Sequence, residues 1–233
     1  MDGITVANRR FKSSTQIKPL GILNYQTLFW LFMVGSVLGF VLEGLWSMIK
    51  VGHWEHHAAV IWGPFCIIYG TGAVVSFLTS QLLSGKNLLL QFGACFLSGA
   101  LVEYFFSLFQ ELFFGSVSWD YSKHFLNIGG RVSLKMALIW GMLGVLFVRF
   151  LFPPLEQSFE KLNGKKGALL CGILTVFMVL NLAATSVVVT RWQRRQENIQ
   201  PNNGIERAAD YIYGDEKMEW MFPNMRFVYS EQD

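Results

Sequence analysis

Five stretches of this chain run for about twenty residues or more with almost no charge, the length a helix needs to cross a hydrocarbon core of about 30 Å. They lie at about 27–48, 60–83, 88–114, 132–152 and 167–190. Lipid cannot hydrogen-bond an exposed backbone, so segments of this kind close their bonds internally as helices. Composition agrees. Of 233 residues, 52% are hydrophobic and 15% charged, against about 25% charged in an ordinary soluble domain. A water-soluble enzyme and a disordered chain are both excluded. The expected fold class is therefore all-α: a polytopic membrane protein built as a bundle of five transmembrane helices (25–190). A polar N-terminal segment (1–24) precedes it, and a charged, aromatic-containing C-terminal tail (191–233) follows it.

The connections carry their own signals. Ser84-Gly85-Lys86-Asn87 reads as a tight polar turn. Pro153-Pro154 is expected to end the fourth helix, because proline lacks an N–H and crowds the preceding turn. The tail, with Trp220, Phe222, Phe227 and Tyr229, reads either as a short amphipathic helix or as partly unstructured. Its aromatics are placed against the membrane surface or the bundle. No small-residue cleavage site follows a short apolar core, so no signal peptide is expected. Cys66, Cys95 and Cys171 all lie in apolar runs and read as small buried hydrophobes rather than a disulfide set or zinc site. Net charge is only +3, with the charges at the ends and in short connections, so the partner is the lipid bilayer and not nucleic acid. With five spans, nine Lys/Arg fall on one side and ten on the other, which leaves orientation undecided. The weight usually carried by the first helix favours a cytoplasmic N-terminus; Arg191, Arg194 and Arg195 beside the last span argue the opposite.

One membrane face collects the polar chemistry whichever way the bundle points. The C-terminal end of helix 1 (Glu43), the C-terminal end of helix 3 (Glu103 to Glu111) and the N-terminal end of helix 4 (Arg131, Lys135) reach the same side. On helix 3, Gly99, Glu103, Ser107, Gln110 and Glu111 fall at i, i+4, i+8, i+11 and i+12, one polar stripe at helical pitch. On helix 1, Gly35, Gly39, Glu43 and Ser47 repeat every four residues, a small-residue face that lets helices approach closely. Counted from Leu88, Glu103 lies about 22 Å along a path of roughly 30 Å, inside the membrane. A lone ionised carboxylate there costs several kcal/mol unless paired or protonated. Arg131 is therefore expected to pair with at least one of Glu43, Glu103 and Asp120. The candidate binding cluster is Glu43, Glu103, Glu111, Asp120, Tyr121, Asn127 and Arg131. It serves either a ligand site or an ion-pair network that locks helix packing.

Other motifs carry less. His53-Trp54-Glu55-His56-His57 has metal-ligand residue types, and His53 and His57 would share a helix face, but His and Trp are ordinary residues at a membrane interface. Trp119-Asp120-Tyr121-Ser122 reads as an interfacial anchor with a capped turn or as a ligand-facing loop. No metal site, catalytic residue or cofactor is assigned. Neither Ser84-Gly85-Lys86-Asn87 nor Gly164-Lys165-Lys166 completes a phosphate-binding G-x-x-x-x-G-K-[ST], and G-x-S-x-G and H-E-x-x-H are absent.

Six short blocks occur in order: Gly39…Glu43, Gly63-Pro64-Phe65-Cys66-Ile67-Ile68-Tyr69-Gly70, Glu103…Glu111, Trp119-Asp120-Tyr121-Ser122, Asn127-Ile128-Gly129-Gly130-Arg131 and Trp140-Gly141-Met142-Leu143-Gly144. In these the chain resembles the bacterial membrane-protein family labelled ABC-transporter type IV permease, or CmpB-like, over roughly residues 27–155. It departs from the family at Ile67 (Pro), at Thr71 (Phe) and at Ala58-Ala59, where an Arg-Gly pair precedes the second helix. The resemblance implies a multi-pass permease subunit of the bacterial cytoplasmic membrane, working with a separate ATPase or as a homo-oligomer. Two other readings stay open: a membrane-embedded enzyme using its carboxylates as acid and base, and a structural or signalling protein.

Overall fold

The computed structural model describes residues 24–83, 86–162 and 164–228. Arg9, Arg10, Lys12 and Lys18 of the N-terminal segment, Ser84-Gly85 of the polar turn, and Tyr229 lie outside the described residues. Helix α1 (Tyr25–Val51) starts at Asn24, whose side chain accepts the Thr27 N–H, and stops at Gly52 in the left-handed conformation. Helix α2 (Ile67–Leu82) follows a non-helical segment. Helix α3 (Leu88–Phe114) runs from the Asn87 cap to Gly115, and α4 (Leu134–Leu146) from the Ser133 cap. A π-helical turn (Phe147–Leu151) joins α4 to α5 (Phe152–Leu162). Helix α6 (Lys165–Gln196) is the longest. The tail folds into α7 (Gly204–Ile212), α8 (Asp215–Met221) and a strand, β2 (Arg226–Phe227), antiparallel to β1 (Ser116–Val117).

Among the described residues, four helical stretches are long and apolar enough to cross a membrane: Tyr25–Val51, Leu88–Phe114, Leu134–Leu162 and Lys165–Gln196. The second apolar run differs from expectation. Only Ile67–Leu82 is helical there, 16 residues or about 24 Å. Gly63 in the left-handed region (φ 87°) and Pro64 break the chain before it. The exposed backbone is not left bare. Trp62 N–H donates to Asn181 Oδ1 (3.1 Å), Asn181 Nδ2 donates to Trp62 O (2.7 Å), and Ile61 N–H donates to Thr185 Oγ1 (3.1 Å). Pro153-Pro154 does not end the fourth helix either. Phe152 N–H donates to Phe147 O across the π turn, and both prolines sit in the first turn of α5, where no N–H is needed.

Packing follows the small residues. Side chains added at Gly35 and Gly39 would collide with Ala73 and Tyr69 of α2, and the Trp140 ring of α4 fills the space over Gly72 and Gly99. The surface is apolar and the interior contains polar groups. Leu89, Leu97, Leu101, Phe105 and Leu112 are exposed along α3, whereas Ser36, Ser76, Glu103, Ser107 and Asn181 are buried. All three cysteines are free and buried.

The tail is anchored by charge. Arg191 on α6, 2% exposed, donates to both Asp210 oxygens (2.9 and 2.7 Å) and to Ile199 O. Arg195 donates to Asp210 and Asp215, and Arg194 to Glu206. Phe222 and Phe227 are buried with Met218 and Met221 against Val188, Val189 and Trp192, while Trp220 remains exposed. The pairing of β2 with β1 brings the tail to the same end of the bundle as the α3–α4 connection.

The guanidinium of Arg191, then that of Arg195, holds the Asp210 carboxyl below its ordinary range. A depressed folded pKa contributes stability that is fully present above the unfolded value of about 3.9 and is lost as pH falls from there through the lower folded one. Hydrogen exchange, corrected for intrinsic rates, should show α7 opening before α1–α4 on acidification from about pH 7 to about pH 3. Asp210→Asn should remove most of that pH dependence; an α7 equally protected at both ends of the range in the wild-type chain would contradict it.

Candidate functional site

The α3–α4 connection is built to turn back into the bundle. Asp120 Oδ1 accepts from the Ser122 N–H (2.8 Å) and hydroxyl (2.5 Å), which holds its carboxyl below the usual range. Asn127 Oδ1 accepts the Gly130 N–H, and its Nδ2 donates to Ser122 O and His124 O. Gly129 and Gly130 adopt φ 58° and 68°, and a side chain at Gly130 would strike Asp120 and Ser122. Trp119 Nε1 donates to Arg131 O (2.9 Å), fixing the far end of the turn.

Two tiers of polar groups result. At the rim, the Arg131 guanidinium donates to Glu111 and to Ser107 Oγ (3.5 Å) and lies over the Tyr104 ring. The hydrogen bond to Glu111 holds its pKa above the ordinary arginine value. A cavity of about 230 Å³ opens here, lined by Ser107, Glu111, Asp120, Gly130, Arg131 and, from the tail strand, Arg226. Below it, Tyr121 reaches down and its hydroxyl donates to Glu103 Oε1 (3.0 Å). Burial, then the Glu103 charge, pushes the Tyr121 phenol above its ordinary pKa, so it stays a donor. Tyr69 on α2 donates to Glu43 Oε1 (2.5 Å), and its ring packs against Trp140 at 5.4 Å.

The structure brings Glu103, Glu111, Asp120, Tyr121, Asn127 and Arg131 to one end of the bundle, with Glu43 within electrostatic range of Glu103. It corrects the expected pairing. Arg131 meets Glu111, and neither Glu43, Glu103 nor Asp120. Glu111 lies eight residues, about 12 Å, above Glu103 on α3. A guanidinium at the rim keeps part of its hydration, whereas one carried down to Glu103 would lose it at a cost of several kcal/mol. Gln110 is held elsewhere, on Ser116 and Ser118. The His53–His57 segment is not helical, so those histidines share no helix face. Glu55 lies 3.3 Å from His57, and among the described residues no group of three or more His, Cys, Asp and Glu side chains is placed to hold a metal.

Sequence reasoning quoted Tyr69 and Trp140 only as part of the family blocks, without a role, and passed over Asn181 and Thr185. A tyrosine one turn into an apolar helix, and an Asn and a Thr one turn apart in an otherwise apolar run, were the available signals.

Arg131→Gln should lower stability by about 1–2 kcal/mol. Combined with Glu111→Gln it should be clearly less than additive in detergent melts, and combined with Glu103→Gln close to additive. Stronger coupling of Arg131 to Glu103 than to Glu111 would refute the two-tier arrangement.

A comparison with family sequence models matches residues 30–186 to the family described as "Putative ABC-transporter type IV". No curated protein and no solved structure matches the chain. The match spans the bundle from α1 to the Asn181–Thr185 clamp of α6, and the chain belongs to this ABC-transporter-like family of multi-pass membrane proteins.

Proposed function

We propose that the chain is a permease subunit of the bacterial cytoplasmic membrane that crosses the bilayer five times, with α2 as a shortened crossing. The Ala58–Cys66 segment completes that crossing at membrane depth, where non-helical backbone is tolerated only if protein groups satisfy it. Asn181 and Thr185 do so at Ile61 and Trp62, and the Ser36 carbonyl accepts the Cys66 N–H. The observation that carries the transport reading is the rim cavity opening onto the α3 stripe. Its wall at Glu111 and Ser107 continues one turn down to Glu103, so polar groups extend from the membrane face into the apolar bundle. A bundle held only by packing has no need of such a cavity, since burying unpaired polar surface is costly. With no phosphate-binding loop of its own, the subunit draws energy from a separate ATPase.

An odd number of crossings puts the two termini on opposite sides of the membrane. Reporter fusions at each end should report opposite compartments; the same compartment for both would leave four crossings and a re-entrant α2. The tagged full-length chain, solubilised mildly from its native membrane, should carry with it an ATP-binding-cassette protein and a vanadate-sensitive ATPase activity. Purification free of any ATPase, with no ATP-dependent uptake by vesicles containing the chain, would count decisively against the permease reading.

A further inference from the structure

The rim balances its charge and the deeper tier does not. Among the described residues neither Glu43 nor Glu103 makes an ion pair, and each receives its hydrogen bond from a neutral tyrosine hydroxyl. Glu103 is 3% exposed, and its Oε2 is buried and accepts no well-formed hydrogen bond, although the Trp140 indole lies beside the same carboxyl. Every element packed around the pair contributes a group. These are Glu43 from α1, Tyr69 from α2 with Cys66 just before that helix, Tyr121 with His124 behind its ring from the connection, and the uncharged Trp140 from α4. The nearby cation, Arg131, is committed to Glu111. Glu43 and Glu103, bridged by the Tyr69–Trp140 ring contact and bonded to no lysine or arginine among the described residues, lack a compensating positive charge.

We propose that Glu43, Glu103, Tyr69 and Tyr121 form a binding site for one small monovalent cation, a proton or an alkali-metal ion, with Glu103 Oε2 as the open ligand atom. Size argues for a small ion. Trp140 fills the space over Gly72 and Gly99, and its ring packs at a tilt against Tyr69, so the walls are close-packed aromatic surface rather than a chamber for an organic molecule. The tyrosine oxygens keep lone pairs free after donating their protons, so they add acceptors without adding charge. The rim cavity supplies the route: Ser107, one turn above Glu103, lines it. The inference goes beyond the permease reading and does not rest on it, because cation binding is measured on the isolated protein without ATPase or substrate.

The test uses the full chain in lipid nanodiscs prepared in choline buffer, read by tryptophan fluorescence and thermal melting. Sodium or potassium chloride is titrated at fixed pH in one arm. In the other, acid is added at fixed choline concentration. A saturable response to an alkali ion identifies that ion as the ligand, and a saturable response to acid alone identifies the proton. Either response should weaken at least tenfold in Glu43→Gln and in Glu103→Gln, and should persist in Glu160→Gln, on α5 and outside both tiers. Where Glu103→Gln fails to fold, Tyr121→Phe, which keeps the ring and removes only the hydroxyl, should weaken the response while melting within a few degrees of the wild-type chain. No response to sodium, potassium or acid overturns the proposal, as does a response equal in wild type, Glu43→Gln and Tyr121→Phe.

Discussion

The polar interior of this bundle depends on the side-chain amide of Asn181. An apolar interior accepts a broken helix only when the freed backbone groups find partners, and Asn181 supplies both a donor and an acceptor to Trp62, with Thr185 serving Ile61 one residue earlier. That clamp permits α2 to begin at Ile67 rather than at the start of its apolar run. The start of α2 in turn fixes Tyr69 within its first turn, facing Gly39 and reaching Glu43.

Burial decides which donor each carboxylate receives. At the rim, where Glu111 keeps 36% of its side-chain surface, a guanidinium can pair without full dehydration. Around Glu103, almost no surface remains. A charged partner there would have to recover its own desolvation cost as well as the carboxylate's. A phenol hydroxyl, that of Tyr121, donates without bringing a charge to desolvate. The same choice leaves the deep carboxyls without an ion pair among the described residues.

Hydropathy made much of the bundle legible, because long apolar runs admit few solutions in lipid. It could not locate the start of α2, since the non-helical segment Ile61–Cys66 is as apolar as the helix after it; only Gly63 and Pro64 hinted at the break. It also misread Pro153-Pro154, because a π turn creates a fresh helix start that sequence spacing does not reveal. For the candidate site, the four-residue stripe on α3 correctly brought Glu103, Ser107 and Glu111 onto one face. Pairing by charge then failed. Counting acids and bases matches Arg131 to the deepest carboxylate, whereas the structure matches it to the one it reaches at least desolvation cost. Tyr69 and Tyr121 are invisible to such a count although they make the deep hydrogen bonds.

The tail completes the site from outside the matched region of the chain. Arg191, Arg194 and Arg195 extend α6 beyond its apolar stretch and fasten α7 through Asp210 and Glu206. From that anchor α8 buries Met218 and Met221, and the chain then turns so that β2 pairs with β1 and Val228 N–H donates to Gly115 O. Gly115 is the residue that ends α3, so the tail strand is fixed directly to the helix bearing Glu103 and Glu111. Arg226 stands on that strand at the cavity wall, with Phe227 turned inward against Trp192. The rim cavity is thus enclosed by two segments far apart in sequence. Releasing the arginine clasp would loosen one wall and leave the other, built on Asp120, Asn127 and Gly130, held by its own hydrogen bonds.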